Sequence, residues 1–219
     1  MEDLKLLYRF RFDESDLGQK LKIWQVLCAD FFQKYVKQDA SVLDVACGYG
    51  EFINNIRAKT KHAIDLNPDT VRFLSKDINF HQTPANAMHG IPDASIDVVF
   101  TSNFLEHLES KAACNDVFRE IMRVLRPGGR FIVMGPNIRY LAGEYWDFYD
   151  HHLPLSHLSL EEGLAVAGFD IQTVIAKFLP YTTRSALPQH PLLIKLYLKV
   201  PLAWRILGKQ FLLVVSKPA

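Results

Sequence analysis

The stretch Ser41-Val42-Leu43-Asp44-Val45-Ala46-Cys47-Gly48-Tyr49-Gly50 decides how this chain is read. It opens as a short apolar, β-branched run, Ser41 to Ala46, and stops in a glycine turn, the pattern of a buried strand in a parallel sheet. The glycines let the backbone come close to a ligand, and a helix start after them offers free N–H groups. Outward from there, strand and helix patterns alternate. Glu51 to Ala58 reads as helical, His62–Leu66 as a strand, and Asn67-Pro68-Asp69 as the cap of a helix reaching about Ser75. Ile78–Gln82 is a weaker strand and Ser95–Thr101 a strong one. Ser110 to Leu125 is an amphipathic helix with Val117, Ile121, Val124 and Leu125 inward, closed by Pro127-Gly128-Gly129 and followed by the strand Arg130–Met134.

On the N-terminal side, Leu17, Leu21, Trp24, Cys28, Phe31 and Tyr35 recur at helical steps and predict one long helix from about Asp16 to Tyr35. On the C-terminal side, Ser159 and Glu162 have capping-box spacing for a short helix ending at Gly168, and Phe169–Leu179 and Phe211–Ser216 supply two last strands. Alternation from Ser41 to Met134 predicts an α/β fold, a doubly wound sheet covered on both faces, with ligands beyond the carboxyl ends of the strands. The organisation expected is a single domain: a helical cap over 1–40, a core over 41–136, an acceptor-side insertion over 137–168 and an apolar, basic helical insertion over 180–209.

Composition excludes several classes. Of 219 residues, 49% are hydrophobic and 22% charged, a globular mixture. Lys and Arg number 25 against 24 Asp and Glu, so net charge argues against a nucleic-acid partner. Cys28, Cys47 and Cys114 form no CxxC pair, which fits a reducing, cytoplasmic setting rather than a disulfide framework. The first residues carry scattered charges without an apolar core, and no run reaches the roughly 18 apolar residues of a membrane span.

Asp65 sharpens the glycine turn. It ends the second strand, 21 positions after Asp44, where a carboxylate accepts both hydrogen bonds of a ribose diol. A dinucleotide fingerprint would place a third glycine where Ile53 stands, and Asp44 beside the turn would repel a pyrophosphate but suit an ammonium group.

Four segments in order, Val42–Phe52, Ala63–Asp69, Ile91–Leu108 and Leu125–Asn137, resemble the successive motifs of class I S-adenosylmethionine-dependent methyltransferases, most of all the branch acting on small molecules, quinones and glycans. The resemblance implies a Rossmann-like, mostly parallel seven-stranded sheet with an antiparallel last strand, and S-adenosyl-L-methionine as cofactor. It places the methionine part against Asp44, Ala46, Gly48 and Gly50, the ribose on Asp65, and the adenine beside Leu66. An acidic residue of the family that meets the adenine amino group is replaced by Asn86, with Ala87 beside it. Thr101, Ser102 and Asn103 border the sulfonium.

Methyl transfer from a sulfonium is an in-line displacement, helped by alignment and by a base for the acceptor proton. The segment after the fourth strand reads Thr101-Ser102-Asn103-Phe104, without the signatures of amino or cytosine-C5 methylation, so oxygen is the expected methyl acceptor and nitrogen the next. His107 is the first base candidate and His152 the second; the other reading of His107 is a histidine bonded to backbone at a helix start. His151, His152 and His157, with Tyr145, Trp146, Phe148 and Tyr149, lie in the connection that in the family helps build the acceptor pocket. No resident metal is assigned, but Glu106-His107 with His152 or His157 partly resembles the metal pattern of small-RNA 2′-O-methyltransferases, whose first glutamate is Asn103 here.

The segment 180–209 is apolar and carries Arg184, Lys195, Lys199, Arg205 and Lys209 without an acid. Leu192 and Leu196, and Lys195 and Lys199, fall at helical spacing, and Pro201 opens a second helix. Such a pair suits an anionic membrane or a greasy acceptor, or else a lid or dimer surface. The function expected is O-methylation of a small metabolite, sugar or lipid-linked precursor. Alternatives are a non-catalytic cofactor-binding regulator and a metal-using RNA methyltransferase.

Overall fold

The computed structural model describes residues 14–141, 143–181 and 190–219. Residues 1–13 of the expected cap, Arg184 in the expected insertion and the side chain of Leu17 lie outside the described residues.

One sheet holds seven strands: β1 (Ser41–Val45), β2 (Thr60–Ile64), β3 (Ile78–His81), β4 (Ile96–Ser102), β5 (Leu125–Pro136), β6 (Asp170–Ile175) and β7 (Gln210–Ser216). Their order is β3-β2-β1-β4-β5-β7-β6. The first five run parallel, and β7 runs against both β5 and β6. This is the expected doubly wound, Rossmann-like sheet with a reversed last strand. The chain winds outward from β1 to β3, then returns to β4 on the other side of β1. The carboxyl ends of β1 and β4 therefore flank the crevice where the winding reverses.

Period-two alternation sorts each strand between two cores. Leu43, Val45, Val99, Phe131 and Val133 face α2 (Lys111–Val124) and α3 (His157–Val166). Val42, Val98, Phe100, Ile132 and Val214 face α1 (Glu14–Asp30), whose Trp24, Leu27 and Cys28 are buried while Leu21 is exposed. Trp24 and Phe32 both pack on Phe100. The cysteines are free and buried, and burial pushes the Cys114 thiol up to about 12. Among the described residues no helix is long and apolar enough to cross a membrane.

Several local expectations need correction. The first helix ends at Asp30 and a 3-10 turn, Phe32–Tyr35, follows; the Gln33 amide donates to both Val36 O and Arg57 O and ties that turn to the β1–β2 connection. Glu51–Ala58 forms successive turns, not a helix: the amides of Asn54 and Asn55 donate to Phe73 O and Glu51 O, competing with a regular ladder. The segment after Asn67 is a 3-10 helix, Pro68–Phe73, although Asn67 does cap it by accepting from Asp69 N. The cap of α3 is Ser156, in a reciprocal box with Ser159, so Glu162 has no part in it. Pro127-Gly128-Gly129 does not separate helix from strand. Leu125 already pairs with Ile96, and the register shift before Val98↔Arg130 absorbs the glycines.

Candidate functional site

At the end of β1 the backbone turns left-handed three times, at Ala46 (φ 56°), Gly48 (φ 54°) and Gly50 (φ 71°). Asn103, just past β4, does the same (φ 49°). Two non-glycine residues held in this region on neighbouring strand ends mark strain of the kind kept at functional sites. The two ends are also cross-linked, since Thr101 Oγ1 donates to Val45 O at 2.8 Å.

Asp65 binds the loops after β1 and β2 together. Its Oδ2 accepts from Gly48 N and its Oδ1 from Asn67 N, both at 2.8 Å. Each oxygen keeps a lone pair for one more donor, as a ribose diol requires. Burial raises its pKa, opposed by those N–H groups. Asp44 is buried too and held well above the usual carboxylate range, by burial first and then by Glu51, while the Ile53 N–H opposes the shift. Lys20 of α1 reaches Glu51 at 2.6 Å. Two buried carboxylates with raised affinity for a proton are a suitable cradle for a ligand carrying ammonium, sulfonium and ribose hydroxyls, and a poor one for phosphate. Leu66 is exposed beside this loop, where a flat base could cover it. Asn86 is also exposed, in a loop braced by Glu120, which accepts from Met88 N at 2.7 Å.

Beyond β4, a 3-10 turn (Leu105–His107) carries Glu106 and His107. A side chain on Gly135 would meet Glu106 Oε2 at 3.5 Å, which sets this carboxylate against the carboxyl end of β5. Its backbone carbonyl accepts from His152 N (2.8 Å) and Leu153 N (3.0 Å), drawing the connection after β5 over the turn. That connection brings Asp150 to His107, whose Nδ1 lies 3.0 Å from Asp150 O and 3.2 Å from Asp150 Oδ2. His151 is buried, its Nδ1 2.9 Å from Tyr145 O and its ring 5.1 Å from that of His107. Tyr145 is buried and donates to Leu153 O at 2.7 Å. Burial pushes the Glu106 carboxyl up to about 7, against the pull of His107. Burial lowers the His107 pKa, but Asp150 and Glu106 outweigh it and the net shift is upward.

The four expected acceptor-side residues thus part company. Glu106 and His107 come together. His152 exposes its side chain and contributes its backbone N–H. His157 sits with its Nδ1 2.9 Å from Asn137 Nδ2, a structural tie, since Asn137 also donates to Ala176 O. The residue that joins the pair is His151: Glu106, His107 and His151 each offer one ligand atom, all within 4.8 Å of one another, and so could hold a cation. Asp150 was not legible in advance, because an irregular connection has no period to show which side chain turns inward.

Residues 43–133 match the family model of a methyltransferase domain. The core of this chain is similar to a methyltransferase domain. A protein of Mycolicibacterium smegmatis described as an S-adenosylmethionine-dependent methyltransferase is 31% identical over 145 residues, covering 63% of this chain and 54% of the relative. A fatty-acid O-methyltransferase of the same organism is 34% identical over 128 residues, 54% of this chain and 44% of its own length. The chain thus spans about half the length of these relatives. A crystal structure of an S-adenosylmethionine-dependent methyltransferase from Archaeoglobus fulgidus superimposes with a TM-score of 0.66 over 98% of this chain and 99% of that one, at 19% identity. At that identity the likeness establishes the fold. S-adenosyl-L-methionine is the methyl donor in the descriptions of these relatives, and the acids around the β1 turn fit such a ligand.

Proposed function

We propose that the chain transfers the methyl group of S-adenosylmethionine to a hydroxyl oxygen of a small or lipid-linked acceptor, with His107 as the base. The cofactor supplies the methyl on a sulfonium, so the leaving group is a neutral thioether. Asp44, the loop Ala46–Gly50 and Asp65 bind and orient it, while Ser102 and Asn103 border the methyl. The acceptor oxygen forms the new C–O bond as its proton passes to His107.

One observation carries this reading: the Nδ1 of His107 is committed to Asp150, which leaves Nε2 as the basic nitrogen and stabilises the imidazolium that forms. The upward shift of His107 has the same cause. Tyr145 and Phe148, packed on His151, give this end an aromatic wall. The test incubates purified protein with methyl-labelled cofactor and fractionated extract. Label is expected in lipid or small aqueous products as methyl ethers. Label only in nucleic acid, or no label despite cofactor binding, would overturn the proposal.

A second reading rests on the grouping of Glu106, His107 and His151. Two imidazoles and one carboxylate, each offering a ligand atom within 4.8 Å of the others, make up the two-histidine, one-carboxylate set of a divalent site, where an ion would activate the hydroxyl. Full activity after exhaustive dialysis against chelator excludes that version and leaves the base mechanism standing.

A further inference from the structure

Between β6 and β7 the chain forms two short helices, α4 (Pro191–Lys199) and α5 (Pro201–Leu207), that turn apolar residues in opposite directions. Inward, Leu198 is buried, and Trp204 packs on Phe31 and Phe178 and donates to Tyr197 O. Outward, Leu192, Leu196, Leu202 and Ile206 are 67%, 59%, 65% and 71% exposed. A helix apolar on both sides is one that has a second cover, and no described residue supplies it here. With nine and seven residues, the helices reach roughly 14 Å at most, under half of a bilayer core, so they cannot span one.

Charge selects the occupant. Residues 171–219 contain no Asp or Glu and seven Lys or Arg. Lys199 and Arg205 are exposed among the leucines, and neither makes an ion pair among the described residues. Lys195 reaches Asp30 at 3.5 Å. A two-fold pairing of this face with a second copy would set these cations against themselves. An anionic surface that accepts apolar side chains meets both requirements. We propose that the outer face of the α4–α5 pair docks the protein onto an anionic lipid bilayer.

The position suits a lipid-linked acceptor. β6 ends and β7 begins at the carboxyl edge of the sheet, the edge of the candidate site. Lys209, after α5, pairs with Glu144 of the acceptor-side connection, and its carbonyl accepts from Asn137 N at 3.0 Å. Trp146 and Tyr149, on the same connection, are exposed aromatics of the type found at membrane interfaces. The choice of acceptor rests on the function proposed above; the docking itself does not.

Flotation of the protein with vesicles of phosphatidylcholine alone, or of phosphatidylcholine mixed with phosphatidylglycerol, tests the proposal. Partition into the mixed vesicles only, weakened by salt, is expected. Lys199→Gln with Arg205→Gln should reduce it roughly 30-fold, at roughly fivefold per charge. Leu196→Ser with Ile206→Ser should reduce it at least about tenfold. Both variants should bind S-adenosylmethionine as the parent does, by calorimetry. Absence of binding to mixed vesicles, or equal binding by parent and variants, overturns the docking. So does a dimer, seen by sedimentation without lipid, that Leu196→Ser with Ile206→Ser dissolves. Intact cofactor binding in any of these cases leaves the methyltransferase reading untouched.

Discussion

The Asp65 carboxylate accepts the Gly48 backbone N–H at 2.8 Å, so the residue expected to hold the cofactor's ribose also fixes the glycine turn that faces it. Seventeen positions of sequence separate the two, and one side chain closes the gap. Loop geometry and the proposed ribose contact therefore meet at this residue.

Asp65→Asn tests both roles. An amide can accept from Asn67 N, but its NH2 would then face Gly48 N, donor against donor. Two charge-assisted bonds to the ribose are weakened as well. A loss of about 3 kcal/mol in S-adenosylmethionine binding, roughly 100-fold in Kd, is expected by calorimetry. Parent-like affinity would dissociate Asp65 from the cofactor.

His107 and His152 should behave differently. His107→Gln removes the basic nitrogen held by Asp150 and should lower kcat by roughly 10² to 10⁴, with cofactor Kd unchanged. His152→Ala leaves the backbone N–H to Glu106 O in place and removes only an exposed ring, so stability should stay within about 0.5 kcal/mol and kcat near the parent value. Equal losses in both would reinstate His152 as a participant.

Glu106 gives a pH signature. Its carboxyl is raised to about 7 in the fold from an ordinary 4.5, so between those values the folded state holds more protons than the unfolded one. The stability it contributes is present at acidic pH and is lost as pH rises through about 7. Glu106→Gln, neutral at every pH, should melt higher than the parent above pH 7, by about 1–3 kcal/mol, and the difference should shrink as pH falls towards 4.5. A gap independent of pH would mean that Glu106 is not held protonated by burial.

What could be read in advance follows from periodicity. Strands such as Val42–Val45 and Val98–Phe100 are buried on both faces, and their apolar runs, interrupted only by Asp44, show it; the amphipathic stripe Val117, Ile121, Val124 likewise marks α2. The crossover at 51–58 reads as a helix but forms turns, because the side-chain amides of Asn54 and Asn55 compete with a helical ladder, whereas 68–73 keeps its expected Asn67 cap and differs only in winding as a 3-10 helix. The acceptor side was half legible. Glu106 and His107 are adjacent in sequence and stay together, but the choice of His151 over His152 depends on how Tyr145 and Phe148 pack, which no spacing encodes.

Gly50 separates what the glycine turn needs for folding from what it needs for binding. The residue is left-handed at φ 71°, and a Cβ there would lie 2.4 Å from Leu74 Cδ2 and 2.9 Å from Asn54 Nδ2. Both atoms end flexible side chains that can shift, so the left-handed backbone, more than the close approach, is what favours glycine here. Gly50→Ala should cost about 1–2 kcal/mol for the left-handed backbone and a further ~1 kcal/mol or less for displacing the two side-chain tips, measured by denaturant titration. Adding Leu74→Ala removes the Cδ2 clash but not the backbone strain, so the double variant should recover only part of the deficit and give a favourable coupling energy in the cycle. Strict additivity would mean that Leu74 does not hinder a side chain at position 50.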